Sequence, residues 1–292
     1  MNTANWLVRP PKFSDVDPLQ AIATAVSQPT QPIQAILTQQ TNGRFWTLAQ
    51  QNQPIGYAAL LPLPGLPHLF ELTGGIVPQF QRRGAGSFLW QAMRADVMGT
   101  AVHQITYTTE QLETPAAHFL RHHQFELDHE EWTMQLHNLP NATLLQPAQR
   151  GTVRQLNRET AVRTLPNLYS RCFARTPWFQ PYSAAEIAAS WQSADELWIL
   201  ATDDEVIGFA WLHFPERKTA FIEPIGIVRE KQGVGHGRFL LTTVLQSLKN
   251  REFQTVSLGV WANNETAVHL YQSVGFRHVS SSYSLTYTIQ ST

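Results

Sequence analysis

The chain has 292 residues, which is long enough for two domains that each bury a core of their own. Its formal net charge of −1 gives no bulk attraction to nucleic acid or to an anionic membrane, and its single cysteine, Cys172, excludes an internal disulfide. With no basic N-terminal segment followed by an apolar run, and with prolines interrupting the apolar stretch 57–66, we expect a cytoplasmic protein without a signal peptide or a membrane span.

The predicted elements alternate between strands and helices and occur in the same order twice. Turn-forming residues between 138 and 152 predict the linker, which gives an N-terminal domain 1–140 and a C-terminal domain 141–292. In the first half we predict a strand at 6–9, helices within 18–40, strands at 44–50, 54–61 and 69–77, a helix at 84–98, a strand at 103–109, a helix at 115–123 and a strand at 125–137. In the second half we predict helices within 159–192, strands at 196–202, 206–214 and 220–228, a helix at 234–250, a strand at 255–261, a helix at 265–274 and a strand at 277–289.

The two halves are copies related by an almost constant offset. Between positions 76 and 125 the offset is 151, and ten of these fifty positions are identical in the two copies, whereas ordinary composition gives about three. Upstream the offset is 152, which matches Glu71 with Glu223. This change of offset predicts one extra residue in the first copy, around 73–75, and hence a bulge or its adjustment at the end of a strand.

Each copy contains a glycine-bearing turn between a strand and a helix. The first turn reads Gln81-Arg-Arg-Gly84-Ala-Gly86 and the second reads Gln232-Gly-Val-Gly235-His-Gly237. Such a turn aims backbone N–H groups and the positive end of a helix at an anion, usually a phosphate. Neither turn has the Gly-Lys of a Walker loop or the spacing of a dinucleotide fingerprint. Glycines that serve only strand–helix packing are the remaining alternative, and two loops at a fixed offset argue against it.

Strand, Gln-x-x-Gly-x-Gly and helix together resemble the acetyl-CoA loop of the GCN5-related N-acetyltransferase (GNAT) superfamily. The second copy adds Asn264-Glu-Thr-Ala-Val-His-Leu-Tyr271-Gln-Ser-Val-Gly-Phe276, which is similar to a second motif of that family. The resemblance covers essentially the whole chain as two tandem units. It implies the α/β (α+β) class, with two acyl-CoA N-acyltransferase domains that each have a mixed, mostly antiparallel sheet flanked by helices.

The resemblance implies that an amine attacks acetyl-CoA directly, without a covalent enzyme intermediate. An ammonium acceptor must lose a proton before it attacks, and the departing thiolate must gain one. Tyr271 occupies the family's general-acid position, and Glu223, on the strand before the loop, is the candidate general base. The alternatives are an aromatic side chain packed on the sheet and an exposed strand carboxylate. Trp178, Phe179 and Tyr182 are candidates to line the acceptor site.

Acetyl-CoA is the predicted cofactor, and its binding residues follow from the two loops. Backbone amides between 233 and 238 can surround a diphosphate, and by analogy the preceding strand holds the pantetheine arm, while its bulge frees an amide to polarise the thioester carbonyl. Asn264 orients the cofactor or caps its own helix. The predicted cofactor-binding residues are Ile227, Val228, Gln232, Gly233, Val234, Gly235, His236, Gly237, Arg238 and Asn264 in the second copy, and Ile76, Val77, Arg82, Arg83, Gly84, Ala85, Gly86 and Ser87 in the first.

The copies differ where the chemistry is expected. The position of Tyr271 holds Leu120 in the first copy, and that side chain cannot donate a proton. Residues 18–70 contain no Asp or Glu, which makes a poor environment for a cationic acceptor. We therefore expect the second copy to catalyse the reaction, and the first copy to bind CoA without turnover or to serve structurally.

Two other functions stay open from the sequence. The chain could be a non-catalytic, acetyl-CoA-binding regulatory protein, although Tyr271 argues against it. It could also be an aminoacyl-tRNA-dependent transferase on the same tandem fold. Such proteins need no CoA loop, however, and the near-neutral charge does not indicate the basic surface that binds RNA. The histidines at 118–123 lack metal-site spacing, so no metal is expected. The acceptor is a small-molecule or peptide amine of unknown identity, and the oligomeric state is open.

Overall fold

The computed structural model describes residues 6–26, 33, 43–145, 148–177, 179–203 and 205–289. Its contacts divide the chain into two units. The first unit consists of Met1–Asp128 and Ser284–Thr292, and the second consists of His129–Tyr283. Each unit has its own buried core, as the chain length predicts.

The first unit is a sheet with helices against it. Its strands lie in the order β1-β2-β3-β4-β5, followed by the end of the last strand of the chain. The pairs from β1 to β4 are antiparallel, and β4 and β5 are parallel. In chain order the elements are β1 (Trp6–Arg9), α1 (Val16–Ala25), β2 (Arg44–Gln50), β3 (Gln53–Leu63), β4 (Leu66–Ile76), α2 (Ala85–Val97), β5 (Gln104–Thr109) and α3 (Pro115–His122).

The second unit repeats this plan. Its strands lie in the order β7-β8-β9-β10-β11-β6-β12, with β10 and β11 parallel and with antiparallel pairs from β7 to β10 and between β11 and β6. The elements are β6 (Glu126–His137), β7 (Thr152–Leu156), α4 (Arg158–Phe173), α5 (Ala184–Ser190), β8 (Glu196–Thr202), β9 (Glu205–Glu216), β10 (Thr219–Ile227), α6 (His236–Asn250), β11 (Thr255–Trp261), α7 (Glu265–Val274) and β12 (Arg277–Thr288).

Each unit is completed by the last strand of the other copy. Strand β6, which ends the first copy, pairs with β11 from Thr255 opposite His137 to Trp261 opposite Glu131. The end of β12, which closes the second copy, contributes Leu285 and Tyr287 to the core of the first unit. The predicted division at 140/141 follows the duplicated sequence and stays a prediction, whereas the two units follow the contacts.

At the strand bulge the extra residue lies in the second copy, so the predicted insertion around 73–75 is wrong. The first copy is longer by two residues in the preceding hairpin, between Leu60 and Leu72, than the second is between Leu212 and Ile222. In the first copy, β3 and β4 pair without interruption from Gly56 opposite Ile76 to Pro62 opposite Phe70. In the second copy the register of β10 shifts between Ile222 and Ile225. The match of two glutamates had suggested the opposite assignment. Strand pairing makes Ile222 the counterpart of Leu72, because their partners, Leu212 and Leu60, are 152 residues apart.

Strand pairing therefore gives the position of Glu223 a different counterpart in the first copy. The bulge in β10 contains Glu223 and Pro224, and the equivalent stretch of β4 contains Thr73, which is buried. Glu71, which the sequence matched with Glu223, pairs with Leu61 further along the strand. The first copy thus has a hydroxyl where the second has a carboxyl group.

Most predicted elements are present in the structure, and the α+β class is confirmed. One strand, Thr152–Leu156, is absent from the prediction, because its five residues are largely polar and follow directly on a linker-like segment. The predicted helices within 18–40 are described only as Val16–Ala25, and the rest of that prediction lies mostly outside the described residues. Within the described part of the chain, no helix is both long and apolar enough to cross a membrane.

Candidate active site

The two glycine-bearing loops have the same backbone structure. Gly84 and Gly235 precede helices α2 and α6 with φ angles of 89° and 93°, a conformation that side-chain-bearing residues rarely adopt. Two residues before these glycines, Arg82 and Gly233 also have positive φ angles, 57° and 77°. This agreement at equivalent positions supports the duplication that the sequence offset predicts.

In the second unit the loop presents unpaired backbone N–H groups. The first backbone hydrogen bond of α6 runs from Phe239 N to Gly235 O, at 3.0 Å. The amides of His236, Gly237 and Arg238 therefore lie at the helix N-terminus without an intrahelical acceptor. At Gly233 a Cβ atom would meet nothing within 4 Å, so the backbone is open on that side. These amides and the positive end of the helix dipole can bind an anion.

Basic side chains adjoin this loop, and one of them comes from outside it. A cavity of about 610 Å³ is lined by Ala148, Arg150, Gly233, Val234, Gly235 and Arg238. A Cβ atom placed on Gly235 would lie 3.0 Å from Arg150 Nε, so this linker arginine lies directly against the loop. Its guanidinium adds a fixed positive charge at the anion site.

Several of the predicted cofactor-binding side chains have structural partners. His236 Nδ1 lies 2.7 Å from Lys231 O, within the loop, and Arg238 donates a hydrogen bond of 2.6 Å to Ser273 Oγ on α7. Asn264 Oδ1 accepts a hydrogen bond of 3.3 Å from Ala267 N and caps α7, which is one of its two predicted roles. The backbone N–H groups of His236 and Arg238 still lie at the start of α6, where they can contact an anion.

The loop of the first unit has the same path but different surroundings. Arg82, Arg83 and Gly84 are exposed, and Ala85 is fully buried. A Cβ atom on Gly86 would lie 3.2 Å from the ring of Phe119, and Ser87 Oγ lies 3.1 Å from His123 Nε2. Ile76 is the last residue of the preceding strand and Val77 follows it, as Ile227 and Val228 do in the second unit.

Two carboxyl groups meet above Gly259 in the second unit. Strand β11 lies between β10 and β6, and a Cβ atom on Gly259 would be 2.8 Å from Glu223 Oε2 and 2.6 Å from Glu131 Oε1. Burial, together with the charge of Glu131, raises the pKa of Glu223 to about 7. Burial also raises the pKa of Glu131, and His129 partly offsets this rise.

Tyr271 lies close to this carboxyl pair. Its side chain is 6% exposed, and its hydroxyl group has no hydrogen-bond partner among the described residues. Burial and the charge of Glu223 raise the pKa of the Tyr271 phenol above its usual value. The hydroxyl group therefore keeps its proton at neutral pH and can donate it.

A cluster of aromatic residues lies near Glu223. Tyr169 on α4 stacks on Phe179 with ring centroids 5.9 Å apart and meets Tyr182 edge-on at 5.4 Å. Burial raises the pKa of Tyr182 to about 12 and also raises that of Tyr169, and the charge of Glu223 contributes to both. The structure thus brings Phe179 and Tyr182 together near Glu223. Trp178 lies outside the described residues.

The backbone of the bulge is held by a half-buried histidine, which is itself paired with a buried aspartate. His213 Nε2 donates a hydrogen bond of 3.1 Å to the backbone oxygen of Glu223, and His213 Nδ1 lies 3.0 Å from Asp195 Oδ2. The Asp195 side chain is fully buried and lies directly before β8, so the histidine ring joins this residue to the bulge. The single cysteine, Cys172, is not a candidate nucleophile. Burial raises the pKa of its thiol to about 12, so the reactive thiolate does not form at neutral pH.

The family of the chain follows from a match to both copies. A family model described as "Acetyltransferase (GNAT) family" matches residues 13–125 and 162–276. The chain belongs to the GNAT acetyltransferase family. The matched ranges contain both loops, Glu223 and Tyr271, so the resemblance predicted from the motifs is confirmed at the level of the family.

Individual relatives agree with this family. The chain is 32% identical over 113 residues to a mycothiol acetyltransferase of Tsukamurella paurometabola, and this match covers 37% of each chain. A GCN5-related N-acetyltransferase from Sphaerobacter thermophilus has a similar fold, with a TM-score of 0.62, 17% identity and coverage of 98% and 96% of the two chains. A tandem GNAT protein from the clavulanic acid biosynthesis pathway also has a similar fold, with a TM-score of 0.60 and 15% identity. This match covers 98% of the present chain and 99% of the other.

Three residues near the site are absent from the sequence prediction. Arg150 lies in the linker, Glu131 comes from the last strand of the other copy, and Tyr169 lies on a helix whose pattern alone shows no function. The sequence contains no direct signal for the first two, because a linker has no periodicity that places Arg150 and because the position of Glu131 depends on the exchange of β6 between the copies. A tyrosine on the buried face of a helix before the predicted acceptor residues is the one available hint for Tyr169.

Proposed function

We propose that the protein transfers an acetyl group from acetyl-CoA to a primary amine and that the second unit carries out the chemistry. The single observation that carries this proposal is the convergence of Glu223, Tyr271 and the glycine loop in one unit. The pKa of about 7 for Glu223 suits a general base at neutral pH, and the protonated phenol of Tyr271 suits a general acid.

The loop of the second unit fits the diphosphate of acetyl-CoA. Amides at the start of α6, the open backbone at Gly233 and the guanidinium groups of Arg150 and Arg238 are the groups that a diphosphate needs. When bound, acetyl-CoA would supply an activated acyl group as a thioester. The strand that ends at Val228 is the candidate for binding its pantetheine arm, as the family resemblance implies.

The residues of the second unit have distinct tasks in this proposal. Glu223, in its ionised form, accepts a proton from the ammonium group of the acceptor at its carboxylate oxygen. Tyr271 donates the proton of its hydroxyl oxygen to the departing sulfur. Phe179 and Tyr182 form an apolar wall that limits access of water, and the buried Cys172 offers no nucleophile for a covalent route.

The first unit lacks these groups. Leu120 replaces the phenol of Tyr271, and strand pairing puts Thr73 at the position of Glu223. Its loop keeps the backbone conformation that favours an anion, which supports a role in binding CoA without turnover or in structure. The domain assignment 1–140 as degenerate and 141–292 as catalytic remains part of this proposal.

The name of the mycothiol acetyltransferase of Tsukamurella paurometabola supports an acetyltransferase activity, but the match spans 37% of its length. The acceptor named there is therefore one candidate among small-molecule and peptide amines. The competing function is a regulatory protein that binds acetyl-CoA without turnover, and the preserved loop of the first unit is the observation in its favour.

Thiol release from acetyl-CoA in the presence of a panel of primary amines tests the proposal. We expect amine-dependent release by the wild-type protein and at least tenfold slower release by Tyr271→Phe, which corresponds to about 1.4 kcal/mol. Calorimetry should give the same CoA affinity for both proteins. CoA binding without amine-dependent release would instead establish the regulatory alternative, and absence of CoA binding would contradict both.

A further inference from the structure

Glu131 and Glu223 reach one point of the second unit from opposite sides. Glu223 belongs to β10 and Glu131 to β6, and β11 lies between these strands. Both carboxyl groups occupy the space that a side chain at position 259 would fill, at 2.8 Å and 2.6 Å from its ideal Cβ position. A glycine at position 259 therefore makes room for the two acids on the sheet.

Among the described residues the pair is only partly compensated. The charge of His129 acts on Glu131, but neither carboxyl group has a hydrogen-bond partner there, and no Lys or Arg forms an ion pair with them. Two neighbouring buried carboxylates repel each other unless a proton or a cation lies between them. The hydroxyl group of Tyr271, on a side chain that is 94% buried (6% exposed) and close to Glu223, also lacks a partner.

Glu131 differs in these respects from the acid next to it. Adjacent residues on a strand point to opposite faces, and Glu130 accepts hydrogen bonds from Trp132 Nε1 at 2.8 Å and Ser281 Oγ at 2.7 Å. Glu130 is therefore satisfied by neighbouring side chains, whereas Glu131 faces the reaction site. By the offset of 151, the counterpart of Gly259 is Thr108 in the first copy, and the counterpart of Glu131 is Ser282 in the second copy.

We propose that Glu131 and Glu223 together bind the ammonium group of the acceptor, and that Glu131 restricts the reaction to cationic amines without a carboxylate beside the amino group. This inference rests on the proposed acetyl transfer in the second unit. An ammonium group placed between the two carboxyl groups favours ionisation of both. Glu223 can then take the proton of that ammonium group, while Glu131 keeps its charge and holds the acceptor.

The same charge excludes another class of amines. A free amino acid has a carboxylate on the carbon next to its amino group, a few ångströms from the Glu131 carboxylate. Repulsion between two charges at that distance in a partly buried site amounts to a tenfold or larger loss of affinity. Amino acid amides, amino sugars and diamines have no such group, so they form the acceptor class that this site selects.

Matched acceptor pairs test this proposal. The probes are phenylalaninamide with phenylalanine and glycinamide with glycine, and the full-length wild-type protein is compared with Glu131→Gln and Glu130→Gln. We expect the wild-type kcat/KM to favour each amide over its acid by at least tenfold. Glu131→Gln should reduce that preference at least tenfold, mainly through a higher KM for the amide, and Glu131→Asp should restore part of it. Glu130→Gln should keep the wild-type preference.

Calorimetric titration of the same probes in the presence of CoA separates the two proposals. If the wild-type protein releases no thiol but binds the amides, and Glu131→Gln weakens that binding at least tenfold, acetyl transfer is refuted and the ammonium site stands. Equal preference in wild type and Glu131→Gln, equal loss in Glu130→Gln, or no amide binding by the wild-type protein overturns the inference. Thermal unfolding of each variant identifies a general loss of fold.

Discussion

Gln232 donates a hydrogen bond of 2.8 Å from Nε2 to the backbone oxygen of Ile227, and Gln81 makes the same bond, also 2.8 Å, to Ile76. The glutamine that opens each loop thus joins its end to the preceding strand. Its side-chain amide is used for this bond, so its contribution to binding an anion is to hold the loop amides in place.

Gln232→Ala should therefore weaken CoA binding without removing any direct ligand. Loss of one hydrogen bond that orders the loop costs about 1 kcal/mol, or roughly fivefold in affinity. Gln81→Ala is the matched variant in the first copy. Calorimetry should show weaker binding for Gln232→Ala, and the effect of Gln81→Ala reports whether the first loop binds CoA. Unchanged affinity in Gln232→Ala would contradict the role of this bond.

Both loops, the helices that follow them and Tyr271 could be predicted from the sequence, because each depends on neighbouring residues and on the offset between the copies. The same motif gives the same local backbone conformation in both copies, as the positive φ angles of Gly84 and Gly235 show. The family resemblance predicted Phe179 and Tyr182 as residues that line the acceptor site; that role stays a prediction, and both rings contact Tyr169.

The carboxyl pair could not be predicted in the same way. Glu131 reaches Glu223 because β6 leaves the copy that encodes it and pairs with β11, and no local pattern specifies such an exchange. The position of the bulge could not be predicted from the sequence either. The alignment of the copies matches Glu71 with Glu223, and only the strand register shows that these residues are not equivalent. The position of Arg150 could not be predicted because the residues of a linker follow no periodic pattern, so nothing in the sequence indicates that this side chain lies against the loop.

Glu131→Gln should shift the pH dependence of the reaction. Burial is the larger cause of the raised pKa of Glu223, about 7, and the charge of Glu131 adds to it. Removal of that charge lowers the pKa of Glu223, so the base stays ionised at lower pH. The acidic limb of the kcat/KM profile should move to lower pH in Glu131→Gln but remain above the ordinary pKa of a glutamate.

The control for this shift is Glu130→Gln, whose carboxylate interacts with Trp132 and Ser281. Its profile should coincide with that of the wild-type protein. A profile for Glu131→Gln that coincides with the wild type, or moves to higher pH, would show that the two carboxyl groups are not coupled in the reaction.

Glu223→Gln should make the protein inactive and more stable at neutral to alkaline pH. The pKa of Glu223 rises from 4.5 to about 7 on folding, so its ionisation opposes folding. Its contribution to stability is fully present below pH 4.5 and is lost as the pH rises through 7. A shift of this size corresponds to about 3 kcal/mol.

Thermal unfolding followed from pH 4.5 to 8.5 measures this effect. The difference in melting temperature between Glu223→Gln and the wild-type protein should grow with pH and level off above about pH 8. A constant difference across this range would show that Glu223 does not titrate in the folded protein with a raised pKa. Since an amide in place of the acid removes the proton acceptor, turnover should fall at every pH.

His213→Ala should reduce turnover by releasing the backbone of the bulge. His213 Nε2 donates to the backbone oxygen of Glu223 at 3.1 Å, and Asp195 holds the other side of the ring. Loss of this hydrogen bond costs about 1 kcal/mol of stability and lets the carboxyl group of Glu223 leave its position. A small displacement of a catalytic group has a large effect on rate, so we expect at least a tenfold lower kcat.

His213→Gln provides the control, since its side-chain amide can donate to the same backbone oxygen. It should recover part of the lost kcat, while the KM for acetyl-CoA stays at the wild-type value in both variants, because the loop after Val228 is not changed. If the two variants lose stability equally but keep wild-type turnover, the histidine stabilises the fold and does not position Glu223. Loss of turnover that Gln restores would instead place His213 among the residues that position the base.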